Sequence, residues 1–283
     1  MLGTAKANES RVTHSTAKNL HGRLVSRIDP LSLPLEPNLD TGFKLYGQYR
    51  GSTQNVDFLS CHVSVLVNGH CPHPPHRHPE EELLIMLAGE ANLILPQRAS
   101  SRGFGELRLR SGQFVYYPAH FPHTLRAVGD QPANYLMFKW RGRWGIQMEK
   151  LAFGYFDTAD FFSSSEDLTG FQSKVLFEKP TRWLGTLHAH VTSLAPGAGY
   201  EPHIDQHDGA IVVLRGEVET FGRRLKPHGL IYFAAGEPHG MRNPGKGPAY
   251  YLVFEFHGRV PLWRKVTDLH AWKRKFKTVL NLY

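Results

Sequence analysis

Short apolar runs separated by turn residues recur along most of this chain and predict β-structure. The runs have the length of strands, and glycine or proline often follows them. They cover residues 58–67, 83–87, 91–95, 113–117, 135–140, 186–194, 210–214, 230–233 and 250–256. Many short strands joined by tight turns are typical of a β-sandwich or a β-barrel. The pattern therefore predicts an all-β fold.

Helical periodicity is clear only near the C-terminus. Apolar side chains recur there at helical spacing, at Leu262, Val266, Leu269, Trp272, Phe276 and Val279. Basic residues lie between them, so we expect residues 261–283 to form an amphipathic helix with a solvated basic face. At the other end, residues 1–39 are expected to form a flexible leader or extended arm, because prolines follow a polar stretch.

The chain also repeats itself. Thr-Gly-Phe at 41–43 recurs at 169–171, and Tyr-Leu-x-Phe at 135–138 recurs at 251–254. The spacing between the copies is constant within blocks, and its one large drop, of 11 residues, falls around a loop near 96–109 that only the first copy contains. Ordered self-similarity with a period of domain size predicts two copies of one fold. We place these two domains at 40–150 and 151–260.

Composition is that of a globular protein and excludes several classes. The 283 residues suit two domains of ordinary size. No run approaches the roughly 20 apolar residues of a membrane span, and the N-terminus lacks the apolar block of a signal peptide. Two cysteines are too few for a disulfide scaffold. We therefore expect a cytoplasmic protein without membrane attachment.

The net charge of +8 favours anionic partners. Part of that charge lies in the basic C-terminal segment, and no signature of a nucleic-acid-binding fold accompanies it. We therefore expect no nucleic-acid partner. An acidic small molecule remains the favoured substrate class.

Four residues have the types and spacing of a metal site. His76 and His78 alternate, so on an extended strand both imidazoles point to one face. Glu82 follows closely, and His123 comes after a later strand. Three imidazoles and one carboxylate suit Fe(II), Mn(II), Co(II), Ni(II), Cu(II) or Zn(II). These four donors leave positions open on a six-coordinate ion.

The same residues resemble the two motifs of the cupin superfamily. The first motif, Gly-x5-His-x-His-x3–4-Glu-x6-Gly, is matched by His76, His78, Glu82 and Gly89, although its leading glycine is displaced. The second, Gly-x5-Pro-x-Gly-x2-His-x3-Asn, is matched by Gly112, Pro118 and His123, with His120 and Ala127 at two departures. The resemblance implies two tandem cupin barrels of the jelly-roll type. It also implies one divalent transition metal, with Fe(II) favoured, in the first barrel.

The second copy has diverged at the corresponding positions. His203 aligns with His76 and His239 with His123, but Asp205 replaces a histidine and Gly209 replaces the glutamate. His203, Asp205 and His239 could form a two-His, one-carboxylate triad of the type that holds non-haem iron, with His207 as a spare donor. The alternative is a degenerate barrel kept for fold and dimer packing, which loss of the glutamate favours.

Resemblance to cupins does not select a reaction, since one fold hosts many functions. We expect an Fe(II) dioxygenase that acts on a small, anionic organic substrate. The alternatives are a non-redox isomerase or hydrolase and a non-catalytic binding or sensor protein.

The expected surroundings of the site complete these hypotheses. Residues flanking the second motif are candidates for the substrate pocket: Tyr116, Tyr117, His120 and Phe121. Glu80 and Glu81 are expected to be solvated neighbours of the metal site. A homodimer is expected, with residues 20–39 available to lie across a partner.

Overall fold

The structure is a computed structural model that describes residues 22–96, 105–142, 150–162 and 168–259. The helix predicted at 261–283 and most of the loop insertion of the first copy lie outside the described residues. The regular secondary structure of the described residues is almost entirely β-strand, with one short 3₁₀ helix at Thr158–Phe161. No described helix is long and apolar enough to cross a membrane.

The strands form two consecutive series along the chain, and the first strand of the first series belongs to the second barrel. The first series comprises β1 (Arg27–Asp29), β2 (Phe43–Gly51), β3 (Phe58–Leu66), β4 (Glu81–Ala88), β5 (Glu90–Ile94), β6 (Glu106–Arg110), β7 (Gln113–Tyr117), β8 (Thr124–Val128), β9 (Ala133–Arg141) and β10 (Gly154–Asp157). The second comprises β11 (Phe171–Lys179), β12 (Thr186–Leu194), β13 (Gly199–Ile204), β14 (Asp208–Arg215), β15 (Val218–Thr220), β16 (Arg223–Leu225), β17 (Leu230–Phe233), β18 (Pro238–Arg242) and β19 (Ala249–His257).

Each copy is a barrel made of one large and one small antiparallel sheet. In the first barrel a six-stranded sheet, in the order β10-β7-β4-β9-β3-β2, faces a three-stranded sheet, β6-β5-β8. In the second barrel the sheet β1-β17-β14-β19-β12-β11 faces a four-stranded sheet, β13-β18-β15-β16. The predicted all-β fold of two tandem barrels is confirmed.

The edge strand of each large sheet comes from a segment outside the repeated copy. The segment before the first barrel completes the sheet of the second barrel, and the segment after the first barrel completes the sheet of the first. β1 comes before the first barrel but pairs with β17 of the second, with Ile28 opposite Ile231. β10 follows the first barrel and pairs back onto its β7, with Tyr155 opposite Val115. Within this structure, part of the segment expected to lie across a partner therefore pairs with its own chain.

The two large sheets pack against each other through one shared apolar core. Aromatic rings from both barrels meet there: Phe114 lies 5.4 Å from Phe254, and Trp140 lies 5.3 Å from Phe256, between ring centroids. Because side chains alternate along a strand, each sheet also has an inner face that fills its own barrel. Central strands such as β4 and β14 are therefore apolar on both faces over most of their length, which explains the continuous apolar runs of the sequence.

Glu81 is a buried link between the barrels, and the expectation that it is solvated is wrong. Its side chain is fully buried and accepts hydrogen bonds from Trp140 Nε1 (2.8 Å), Thr181 Oγ1 (2.6 Å) and the backbone N–H of Arg182 (2.6 Å). Burial raises the pKa of Glu81, and these donors offset part of that effect. Because neighbouring side chains on a strand point to opposite faces, the carboxylate of Glu81 lies between the barrels and that of Glu82 lies inside the first barrel.

The backbone requires a glycine directly after β4 in the first copy and directly after β14 in the second. Gly89 has a φ of 70°, and an added Cβ would lie 2.4 Å from the carbonyl oxygen of Pro132. Gly216 repeats this arrangement, with a φ of 74° and the carbonyl oxygen of Pro248 at 2.4 Å. Only glycine fits such a close approach in this conformation. The presence of glycine at both Gly89 and Gly216 thus has a structural cause.

We expect Glu81→Ala to lower the free energy of unfolding by about 2–4 kcal/mol, because it leaves buried donors of Trp140 and Thr181 without their acceptor. Urea denaturation measures the change. The control is Glu90→Ala, which removes an exposed ion pair to Arg108 and is expected to cost less than about 0.5 kcal/mol. Equal losses in the two variants would contradict the role assigned to Glu81.

Candidate metal centre

The four predicted metal donors of the first barrel come together on one inner face. Glu82 lies at the start of β4, and His76 precedes that strand. His76 and His123 exchange backbone hydrogen bonds, N–H to carbonyl, of 3.2 and 3.0 Å. The carbonyl of His78 accepts a hydrogen bond of 2.7 Å from the N–H of His120. Backbone pairing therefore holds the donors in place before any metal binds.

The donor atoms converge closely. His78 Nε2 lies 3.0 Å from Glu82 Oε1, and His123 Nε2 lies 2.9 Å from Glu82 Oε2. The ring centroids of the three histidines are 5.1–5.3 Å apart. One donor atom from each of these histidines lies within 4.8 Å of the other two.

The chemistry of this cluster fits a divalent metal. Buried side-chain atoms here have no partner with hydrogen-bond geometry: Nδ1 of His76, both ring nitrogens of His78 and both carboxylate oxygens of Glu82. Buried polar atoms are normally satisfied, so such a group is costly without a ligand. An ion bound by three imidazoles and one carboxylate would take up one ring nitrogen of each histidine together with the carboxylate of Glu82.

Two histidines of the cluster differ in their protonation. Burial, together with neighbouring imidazoles, lowers the pKa of His76 to about 4, so this ring is neutral and able to bind metal at pH 7. Burial also disfavours the charged form of His78, but contacts with Glu80 and Glu82 raise its pKa to about 9. Metal binding would therefore displace a proton from His78.

His123 is fixed in orientation from two sides. Its Nδ1 lies 2.8 Å from the carbonyl oxygen of Phe121, which can only accept a hydrogen bond, so Nδ1 carries the proton. Its Nε2 is therefore the atom that faces Glu82. The ring of Tyr117 stacks on the imidazole, with centroids 4.2 Å apart and an interplanar angle of 14°. Such supports orient a metal-binding histidine.

A cleft of about 700 Å³ opens next to the cluster. His76 and His123 are among its lining residues, and so is the amine-bearing side chain of Lys139. Lys139 is the cross-strand partner of Glu82, and its Nζ forms an ion pair with the Glu82 carboxylate. Other polar side chains that line it include Gln48, Arg50, Ser60, His62, Ser64, His73, Glu80 and Tyr135.

The four sequence-predicted pocket residues lie elsewhere than this wall. Tyr116 is buried in the core between the barrels, near Trp140. Tyr117 lies behind His123, and Phe121 packs against Phe153 in the inner core. His120 is exposed, in a left-handed conformation with φ of 63°. None of the four is among the residues that line the described cleft.

The sequence did not point to Lys139 as a site residue, because Lys139 lies outside both motifs. A signal was present: on β9, Tyr135, Met137 and Lys139 alternate with residues that face the other barrel. That alternation becomes informative only when the face that forms the wall is known.

The second barrel also brings its predicted donors together. Asp205 Oδ2 lies 3.3 Å from both His203 Nε2 and His239 Nε2. His203 and His239 are cross-strand partners, as His76 and His123 are in the first barrel. The three residues line a cleft of about 430 Å³. Metal binding by this triad stays a prediction.

The chain matches one known protein family in two separate regions. A family model described as "Cupin domain" matches residues 62–139 and 190–255, which together are half of the chain. The two matches fall on the two barrels.

A curated relative is similar over a shorter segment. The dimethylsulfoniopropionate lyase DddQ of Ruegeria pomeroyi is 37% identical over 86 residues. This match covers 30% of the present chain and 38% of the lyase.

Solved structures show the same fold at low identity. Oxalate decarboxylase of Lactobacillus farciminis superposes with a TM-score of 0.55 at 13% identity, covering 88% of this chain and 92% of that one. Salicylate 1,2-dioxygenase of Pseudaminobacter salicylatoxidans gives a TM-score of 0.52 at 12% identity, covering 70% of each chain. At such identities the likeness concerns the fold alone.

We expect His76→Ala to weaken metal binding in the first barrel by more than about 100-fold, because it removes one of four converging donors. Metal content per chain, measured on protein without a histidine tag, is the readout. His73→Ala is the matched control, since this imidazole lies 4.0 Å from the ring of His76 outside the donor cluster. Unchanged metal content in His76→Ala would disprove the assignment.

Proposed function

This chain belongs to the cupin family, and from that premise we propose that its first barrel is an Fe(II) dioxygenase for a small organic anion. The observation that carries the proposal is the position of Lys139, whose amine lies beside the carboxylate of the metal cluster and in the wall of the cleft. A cationic group next to open metal positions suits a substrate with a carboxylate.

The four donors of the first barrel have defined tasks in this proposal. His76, His78, Glu82 and His123 would hold the ion, which would supply a Lewis acid and a site for dioxygen. Four protein donors do not fill a six-coordinate shell, so substrate and dioxygen can both approach. The protein positions these donors through the backbone pairing of His76 with His123.

Lys139 would bind and orient the substrate. Its ammonium pairs with Glu82 in the structure, and a metal ion would neutralise that carboxylate. The ammonium would then be available to a carboxylate of the substrate, at the wall nearest the ion. The hydroxyl groups of Ser60 and Ser64 lie on the same wall and offer further hydrogen bonds.

Two titratable groups of the wall, His62 and Tyr135, are poorly suited to proton abstraction. Burial lowers the pKa of His62 to about 4, which makes its imidazole a weak base. Burial raises the pKa of Tyr135, so its phenol stays protonated at neutral pH. A general base works best with a pKa near the working pH, and neither side chain meets that condition. Addition of both atoms of dioxygen to a substrate makes no such demand on these residues.

A second candidate is a non-redox lyase, isomerase or hydrolase in the same cleft. The observation that favours it is the 37% identity, over 86 residues, to a protein named a dimethylsulfoniopropionate lyase. The two candidates share the metal cluster and the anion-binding Lys139. They differ in whether dioxygen is consumed.

Oxygen consumption separates the two candidates. Fe(II)-loaded protein would be supplied with a panel of small carboxylates, in air and without oxygen. Loss of one oxygen molecule per substrate molecule, with no turnover under anaerobic conditions, is the result that we expect. Turnover that persists without oxygen would replace the dioxygenase with the second candidate.

We expect Lys139→Met to weaken the binding of a carboxylate substrate or inhibitor by about 10- to 100-fold while metal content stays unchanged, because one charge-assisted hydrogen bond is lost. Calorimetric titration of the metal-loaded protein measures the change. The matched control is Lys44→Met on β2, where Phe43 and Leu45 line the cleft and Lys44 does not. Equal affinities for Lys139→Met and Lys44→Met would refute the role of Lys139.

A further inference from the structure

The second barrel contains a cluster of imidazoles around one carboxylate, outside the positions of the first barrel's metal cluster. Glu255 Oε2 lies 2.8 Å from His257 Nε2 and 3.2 Å from His207 Nε2. On its other side Oε1 lies 4.0 Å from His190 Nδ1, and His190 Nδ1 lies 3.0 Å from His188 Nε2. Four histidines thus surround a single carboxylate.

Strand register explains how these residues meet. Glu255 is the direct cross-strand partner of His188, between β19 and β12. His257 follows Glu255 by two residues, and His190 follows His188 by two, so all four share one face of the sheet. His207 approaches from the segment before β14, whose Gly209 is the partner of Glu255 on the other side. Because Gly209 has no side chain, the space beside Glu255 is open to His207.

Comparison of the two copies shows that this cluster is specific to the second barrel. At the corresponding positions the first barrel has Ser60, His62, Glu80, Lys139 and Arg141, where the second has His188, His190, His207, Glu255 and His257. Two cations of the first barrel are therefore replaced by a carboxylate and an imidazole. One wall suits an anion, and the other suits a cation.

The two barrels have their carboxylate on different strands of the equivalent strand pair. In the first barrel Glu82 on β4 faces Lys139 on β9, whereas in the second Gly209 on β14 faces Glu255 on β19. The strand that lost its acidic side chain lies beside the strand that gained one. A carboxylate is thus present in both barrels, on opposite members of the same strand pair.

We propose that the second barrel binds a divalent transition-metal ion through Glu255, His207 and His257, at a site displaced from the one that the motif positions predict. One donor atom from each of these residues lies within 4.8 Å of the other two. Mixed imidazole and carboxylate donors suit Zn(II), Co(II) or Fe(II). His190 lies on the opposite side of the carboxylate, with Nδ1 4.0 Å from Oε1.

Two other arrangements compete with this site. The first is binding at His203, Asp205 and His239, which lie in the same cleft and are linked to His207 by a 3.8 Å contact with Asp205. The second is an ion-pair network without a metal, in which Glu255 only pairs with its histidines. Each arrangement predicts a different effect of single substitutions on metal binding by the second barrel.

The test uses the full chain with the first barrel silenced by His76→Ala. Titration with Zn(II) and metal analysis measure what remains, and Co(II) absorption in the visible range reports the ligand set. We expect one equivalent to bind in this background. Adding Glu255→Gln is expected to weaken that binding by more than about 100-fold, whereas adding His203→Ala is expected to change it by less than about threefold.

Controls separate loss of the site from loss of the fold. Glu217→Gln, at a partly exposed glutamate in the turn before β15, is the matched substitution and should leave Zn(II) binding unchanged. Circular dichroism and thermal unfolding of each variant verify the barrel. His207→Ala offers a second route to the same loss and should alter the Co(II) spectrum.

Two outcomes would overturn the proposal. Absence of any Zn(II) equivalent in the His76→Ala background would leave Glu255 in an ion-pair network alone. Loss of binding in His203→Ala with retention in Glu255→Gln would place the ion at the aligned motif position. Since the first barrel is silenced throughout, neither outcome depends on the reaction proposed for it.

Discussion

The packing of the two large sheets against each other is the constraint on which the rest of this structure depends. Each central strand must present one apolar set to the other barrel and a second set to its own interior. On β4, Leu83 faces the other barrel while Leu84 faces the inside. A slip of one residue would exchange these sets and turn Glu82 away from the metal cluster. The same packing that stabilises the pair of barrels therefore orients the metal donors.

The two barrels preserve a common frame and differ in the side chains that line it. The pairing of His76 with His123 recurs in the pairing of His203 with His239, and an aromatic ring stacks behind each distal histidine. The walls of the clefts have opposite character at the position occupied by Lys139 in one barrel and Glu255 in the other. Close packing limits which side chains the core can replace, whereas positions that line a cleft can be substituted by residues of different charge at little cost in stability.

Much of the architecture and of the first site was predictable from local patterns, and the failures share one cause. Glu81 and Glu82 are adjacent and chemically alike, yet one is a buried link between barrels and the other faces the imidazoles of His78 and His123. Tyr116 and Tyr117 likewise face opposite sides of β7. A sequence shows that neighbouring side chains on a strand point to opposite faces. Which face lies between the barrels and which lies inside a barrel depends on what packs against the strand.

The sequence by itself determined the all-β class, the duplication and the convergence of four donors, because these follow from strand length, repeat order and motif spacing. Only the tertiary structure decided which strands lie side by side. It thereby placed Lys139 against Glu82 and gathered the histidines around Glu255. Those contacts join residues far apart in the chain, and their formation depends on sheet order and register, which are set by global packing.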